Sequence, residues 1–299
     1  MIKGFKELLQ RRAEQKRRKI AVAMAQDVDV LHALDAARAA GIADAVLVGD
    51  KEKLNEIAGK ENIDLSNYGI IDKSDEAECV REAIEVVKSG GAQVLMKGLC
   101  STAVFLKTIL NKENGLRAAK ILSHLALFES PNYHKLLFMS DAAMNIAPDL
   151  NDKIAILENA IGAVNRLGYK KPKVALISAV EKVNASGMPS SADAAIIAKM
   201  GERGQIKNAI IDGPLAVDNA LSHRANEVKG LNSPVGGDAD ICIVPNIETG
   251  NVFYKLLTVL GNAQVAGVIL GASVPVVLTS RADSDNSKYL SIASALAIS

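Results

Sequence analysis

Tryptophan is absent from this 299-residue chain, and aromatic residues make up only 3% of it. Apolar residues still reach 49%, so the core has to be built from Ala, Val, Ile and Leu. That suits layered α/β packing and argues against recognition by stacking on exposed bases. Charge of one sign is lacking too. Lys and Arg total 35 against 34 Asp and Glu, a net charge of +1, which gives no global pull toward nucleic acid or a membrane. The implied partner is a small molecule held by local charges. Cysteine is confined to Cys79, Cys100 and Cys242. No Cys-x-x-Cys pair occurs, the spacings fit no metal site, and an odd, low count fits a reducing compartment. No apolar run reaches the length of a membrane span. Charge begins at Lys3 with no long apolar core behind it, which reads as a cytoplasmic chain without a signal peptide.

Several signatures are missing as well. There is no Walker-type phosphate loop, no Gly-x-Gly-x-x-Gly dinucleotide turn, no Gly-x-Ser-x-Gly elbow and no His-Glu-x-x-His. The histidines, His32, His124, His134 and His223, include no pair with metal-ligand spacing and read as structural or surface residues. The basic run Arg11, Arg12, Lys16, Arg17, Arg18, Lys19 is interleaved with Glu14 and reads as a solvated helix face.

What is present is an alternation of strand and helix. An opening helix (Phe5–Arg18) precedes a buried strand over 19–25. The next strands read at 45–48, 68–71 and 92–96. The helices between and after them read at 30–40, 75–88 and 102–111. The middle of the chain repeats the theme with strands at 125–128, 136–139, 174–177, 209–211 and 241–244. Helices there read at 152–167, 192–200, 215–222 and 251–260. Strands at 268–270 and 274–278 and a helix at 284–298 close the chain. Continuous apolar strands imply sheets covered by helices on both faces. At this length the default is two α/β domains.

Open α/β sheets bind ligands beyond the carboxyl ends of their strands, and the residues there are candidates. Lys97, Gly98, Ser101 and, further along the helix, Lys107 form one group. Gly98 lets backbone approach, and Ser101 or Thr102 can cap the next helix and offer its N-terminus to an anion. An ordinary surface turn explains the local pattern equally well. Arg281 follows a Val-Pro-Val-Val-Leu strand and can fork onto a phosphate, and Ser280 can donate to developing negative charge. Asp283 and Asp285 are candidate bases, although carboxylates beside Ser284 also suit a helix N-terminus. Asp141, Ser178, Asp212, Asn246, Glu248, Thr249 and Gly250 mark a substrate cleft after other strands. The loop Asn232-Ser233-Pro234 with Gly236-Gly237 could close on a ligand but reads more simply as surface. Cys100 would be a nucleophile only with a partner base, and none is evident.

These segments resemble the phosphate acetyltransferase and butyryltransferase family over essentially the whole chain. The resemblance rests on Gly41 through Gly49, the Met96-Lys97-Gly98 turn, Asp212-Gly-Pro-Leu215, Ala239 through Asn251, and Pro275 through Asp283. It implies an α/β fold like that of isocitrate and isopropylmalate dehydrogenases, with two α/β/α domains facing across a cleft. Residues 1–121 with 268–299 would form the first domain and 122–267 the second. It implies reversible acyl transfer from acyl-CoA to inorganic phosphate, with butyryl favoured and acetyl the alternative. Coenzyme A is then a substrate; no cofactor, metal, nucleic acid or membrane is implied, and a homodimer or larger homo-oligomer is. Carried over, Ser280 stabilises the tetrahedral oxyanion or the leaving group, and Arg281 binds phosphate or acyl phosphate oxygens. Lys107 supplies a second cation where an arginine is common.

Two departures stand out. Acetyl-specific relatives place an aspartate seven residues after the serine, where this chain has Ser287, so Asp283, Asp285 or the phosphate itself would take the thiol proton. Relatives also place an arginine near Asp27-Val-Asp29. A nicotinamide-linked hydroxy-acid dehydrogenase of the same architecture, and a non-catalytic anion or acyl-CoA binder, are the competing readings. The first would need clustered aspartates and a nucleotide loop, which are not evident.

Overall fold

Most strands of this chain hand over to a helix at a capping side chain, and the caps explain where the helices start. A computed structural model describes residues 2–279 and 284–299. The first segment runs α1 (Phe5–Ala13), β1 (Arg18–Ala23), α2 (Val28–Ala39), β2 (Ala43–Gly49), α3 (Lys51–Glu61), β3 (Gly69–Asp72), α4 (Glu76–Lys88), β4 (Val94–Lys97) and α5 (Thr102–Ile109). Asp27, Asp50, Asp75 and Ser101 accept backbone N–H groups at the starts of α2, α3, α4 and α5. Each such cap contributes about 1 kcal/mol. The helix α4 buries Cys79, Val80, Ala83, Ile84 and Val87, the spacing of a single face.

The middle segment runs β5 (Ser123–Glu129), β6 (Leu137–Ser140), α6 (Leu150–Arg166), β7 (Lys173–Ile177), α7 (Pro189–Glu202), β8 (Ile210–Leu215), α8 (Val217–Leu221), α9 (His223–Lys229), β9 (Ile241–Ile243) and α10 (Ile247–Lys255). The last runs β10 (Gln264–Leu270), β11 (Val276–Val277) and α11 (Asp285–Ile298).

The chain divides into two compact units. One contains Phe5–Ala119 and Ala266–Ser299; the other contains residues 2–4 and Lys120–Val265. The sequence reading had set these limits at 1–121 with 268–299, and at 122–267. Residues 2–4 group with the middle segment, where the Tyr169 hydroxyl donates to the Ile2 carbonyl. In the first unit the strand order is β3-β2-β1-β4-β11-β10. Its pairs are parallel except β10 with β11. In the second the order is β5-β6-β9-β7-β8, parallel except β5 with β6. All four residues of β4 and of β6 are buried, as expected of strands covered on both faces. The second unit's core gathers Phe128, Leu137, Met139, Ile177, Leu215 and Val244, with Phe253, Tyr254 and Leu257 packed against it.

Five local features depart from the sequence reading. The helix α1 stops at Ala13, not Arg18. Arg12, read as part of a solvated face, is buried at 1% exposure and donates to the Lys16 carbonyl at 2.8 Å, so its guanidinium closes the turn beyond the helix. Asp212-Gly213-Pro214, placed beyond the strand read at 209–211, lies within β8. The strand ends the order, and an edge strand tolerates a proline that has no N–H to give. The helix α9 was not anticipated, because seven residues of His-Arg-Ala-Asn-Glu-Val-Lys show no apolar period. The helix expected at 251–260 begins earlier, at Ile247, where Asn246 caps it through Thr249 N–H.

Candidate functional site

In the first unit, β4 delivers Lys97 and Gly98 to the carboxyl edge of the sheet. Lys97 is 7% exposed, and its ammonium donates to the carbonyls of Gly98 (3.0 Å) and Cys100 (2.9 Å). Its charge thus holds the turn that it begins. Gly98 N–H donates to the Ala23 carbonyl and Leu99 N–H to that of Met24, both at 2.8 Å. A Cβ on Gly98 would lie 2.1 Å from the Met24 carbonyl oxygen, so glycine is required there. Gly98→Ala should lower stability by about 1–3 kcal/mol, the usual cost of overpacking, read as a lower urea midpoint.

Ser101 caps α5 by accepting from Val104 N–H at 3.2 Å. Its own N–H donates to the Glu76 carboxylate, so an internal anion sits at this helix start. Lys107 lies further along α5, in a groove of about 620 Å³ shared with Arg81, Glu82 and Glu85 of α4. The structure therefore groups Lys107 with Arg81, which sequence reasoning missed, because Arg81 sits in the second turn of an ordinary amphipathic helix. Cys100 is 2% exposed, and burial pushes its thiol up to about 11, against the opposing charge of Lys97. Near neutral pH it is a protonated thiol and not a nucleophile.

Ser280, Arg281 and Asp283 lie outside the described residues. The strand leading toward them, β11, pairs in parallel with β4, Val277 opposite Met96. Both strands therefore leave the sheet at the same edge. Beyond that segment Ser284 caps α11 through Ser287 N–H at 3.2 Å, and Asp285 is an exposed residue of its first turn. Lys288, 3% exposed, pairs at 3.0 Å with Asp29 of α2. Asp27 and Asp29, where the family pattern has an arginine, thus serve as a helix cap and as the partner of Lys288.

In the second unit, β6, β9, β7 and β8 present their carboxyl ends at one edge. There a cavity of about 680 Å³ is bordered by Ile177 at the end of β7 and Ser178 just beyond it, Ala216 after β8, and Pro245, Asn246 and Thr249 after β9. Three sequence candidates, Ser178, Asn246 and Thr249, meet on this cavity. Lys153, Met188 and Ala216 line it as well and were not singled out, since nothing in their local sequence sets them apart.

The remaining candidates are placed otherwise. Asp141 is 3% exposed. Its carboxylate accepts from Ala143 N–H (2.8 Å), Met144 N–H (2.9 Å), His124 N–H (3.2 Å) and the Asn145 amide (2.6 Å), so it anchors the turn after β6. Gly250 packs on that turn, where a Cβ would lie 2.6 Å from the Asp141 carbonyl oxygen. Asp212 accepts from the Ser233 hydroxyl. Ser233 also accepts from Val235 and Gly236 N–H, so the 232–237 loop is tied to β8. Glu248 is exposed in the first turn of α10.

Comparison with known proteins places the whole chain. Residues 4–85 and 76–296 match the family described as phosphate acetyl/butaryl transferase. A phosphate butyryltransferase of Clostridium beijerinckii is 49% identical over 293 residues, 98% of this chain and 97% of the relative. A phosphate acetyltransferase of Thermotoga maritima is 42% identical, covering 97% of this chain and 98% of the relative. The crystal structure of a branched-chain phosphotransacylase from Enterococcus faecalis V583 superposes with a TM-score of 0.85. It is 36% identical and covers 94% of this chain and 98% of its own. A match of this extent, on a fold that carries the Lys97–Ser101 turn and the parallel β4–β11 pair at one sheet edge, means that the chain belongs to the phosphate acetyl/butyryl transferase family of enzymes.

Proposed function

We propose that the protein transfers a short acyl group, butyryl in preference to acetyl, from acyl-CoA to inorganic phosphate. The full-length match to phosphate acyltransferases carries this reading. A phosphate oxygen attacks the thioester carbonyl carbon and the C–S bond breaks. The acyl group leaves on phosphate, and the proton lost by phosphate goes to the departing CoA sulfur. Ser280 donates a hydrogen bond to the oxyanion of the tetrahedral intermediate, and Arg281 grips phosphate oxygens with its planar fork. Holding two anionic reactants in line supplies much of the remaining acceleration. The serine–arginine pair follows the strand that lies beside the Lys97–Gly98 turn, which supports this assignment.

The transfer is direct. Cys100→Ala should keep phosphate-dependent turnover within a few-fold and leave sequential initial-rate patterns intact. Parallel double-reciprocal lines, with a butyryl adduct on Cys100 by mass spectrometry, would establish an acyl-enzyme instead. We place the enzyme in the cytoplasm as a homodimer or larger assembly, working without metal or prosthetic group. The free, buried state of Cys79, Cys100 and Cys242 suits a reducing compartment. Among the described residues no helix is long and apolar enough to cross a membrane. The deciding assay follows thiol release from butyryl-CoA with and without phosphate, beside acetyl-CoA. Release that is independent of phosphate would end the proposal, and acetyl-CoA as the better substrate would end the butyryl preference.

A further inference from the structure

We propose that two copies of this chain meet, antiparallel about a two-fold axis, on the outward face of α10 and of the π turn Leu256–Leu260 that continues it. The inference rests on the homo-oligomer reading above and names its surface, which belongs to the second compact unit alone. Phe253, Tyr254 and Leu257 turn toward that unit's core. The residues exposed on the other side are not those of a solvated helix. Among them Glu248, Asn251 and Lys255 are polar, but Val252, Leu256, Val259 and Leu260 are not. Val259 and Leu260 are 76% and 78% exposed, and Val252 and Leu256 about half. Apolar residues scattered singly over a surface need no cause, whereas a run of them along one helix marks a contact face.

The charges on the face say what covers it. Glu248 stands in the first turn of α10 and Lys255 in its last, two helical turns apart and so on one side. Neither side chain makes an ion pair among the described residues. A copy laid in the opposite direction sets Glu248 of each chain against Lys255 of the other. One axis then satisfies both pairs, as a self-complementary contact requires. The ends of the face match in the same way. At the head of the helix the Ile247 N–H donates to the Ile146 carbonyl at 3.1 Å, and Ile146 is 74% exposed. The reversed copy brings its Leu256–Leu260 end to this isoleucine, apolar against apolar.

A lipid surface fits this face less well. A helix that lies on a membrane carries Lys and Arg along its polar side. Lys255 is the single basic residue from Ile247 to Leu260, and Glu248 shares its side of the helix. Laying the exposed leucines and valines against their counterparts removes apolar surface from water in both copies at once. The charged pair adds register and choice of partner more than affinity.

The test is fluorescence-detected sedimentation velocity on the full chain over a dilution series, read as the dissociation constant of the dimer. Leu260→Glu is expected to raise that constant at least ~30-fold, the scale of losing an anchor residue at an interface. Glu248→Lys and Lys255→Glu, each alone, should weaken self-association severalfold, because like charges then meet across the axis. Mixed in equal amounts, these two variants should pair with each other more tightly than either pairs with itself, since every charge contact is then between opposite signs. The charge variants decide the matter if Leu260→Glu does not fold. Failure of the mixed pairing would overturn the antiparallel arrangement. A dimeric wild type whose association is unchanged in all three variants would overturn this inference alone and leave the homo-oligomer reading to another surface. A monomeric wild type would overturn both, including one that instead sediments with phosphatidylserine vesicles.

Discussion

Phosphate-dependent release of CoA from butyryl-CoA is expected to fall at least ~100-fold in Arg281→Ala, the scale of removing one principal electrostatic stabiliser. The reaction brings a phosphate anion to a carbonyl that itself turns anionic, and a fixed guanidinium offsets both charges. The loss should appear in kcat/KM for phosphate. An unchanged urea midpoint in the same variant would separate the lost charge from a loss of fold. Arg281→Lys keeps the charge but not the two-pronged geometry, so it should fall between Arg281→Ala and the wild type. Ser280→Ala should lower kcat more than it raises the KM for phosphate, because its bond forms to the oxyanion. Turnover within a few-fold of wild type in Arg281→Ala would remove the central residue of the proposed mechanism.

The largest effect on stability is expected at Lys135. Its ammonium is 7% exposed and lies 2.8 Å from Asp238 and 2.7 Å from Asp240, the latter side chain 5% exposed. Lys173 reaches Asp238 at 2.9 Å. Lys135→Met leaves the Asp240 carboxylate buried without its cation, a change that typically costs about 3–5 kcal/mol. Urea denaturation should show this as a lower midpoint with an unchanged slope. Adding Asp240→Asn to Lys135→Met should recover part of the loss, because the stranded charge goes with it. Simple additivity of the two changes would show that the pair is not coupled.

The same cluster sets an acid limit. Burial works to raise the pKa of Asp238, but the hydrogen bonds from Lys135 and Lys173 outweigh it and hold the carboxyl well below the usual range. Its contribution is complete at neutral pH. It is lost as pH falls below the ordinary carboxylate range toward the depressed folded value. The wild type should therefore lose stability across that acid range more steeply than Lys135→Met.

The βα alternation was legible because buried parallel strands are apolar runs, such as Ile20–Ala23 and Val94–Met96, and the helices between them bury one face each. Caps such as Asp75, Ser101 and Asn246 were legible as residue types. What they do beyond capping was not, since Glu76 meets Ser101 N–H and Lys288 meets Asp29 only through tertiary packing. Polar residues at strand ends were a weak guide. Ser178, Asn246 and Thr249 do gather on a cavity, whereas Asp141 and Asp212 hold turns, and a sequence does not say which carboxylate has its bonds filled from within. Met188 and Ala216 escaped notice because an apolar wall has no local signature. The strand β8 was cut short because Gly-Pro ordinarily signals a turn, a rule that an edge strand overrides.

The position of β11 between β4 and β10 has a consequence for synthesis. The ribosome finishes β4 long before it reaches Val276, a delay on the order of tens of seconds at about 5–20 residues per second. Until then one flank of β4 has no hydrogen-bonding neighbour, and the apolar surface that α11 will cover is bare. The nascent chain thus passes through a period in which an incomplete sheet could pair with another chain. A product released before β11 is made would carry that open flank permanently.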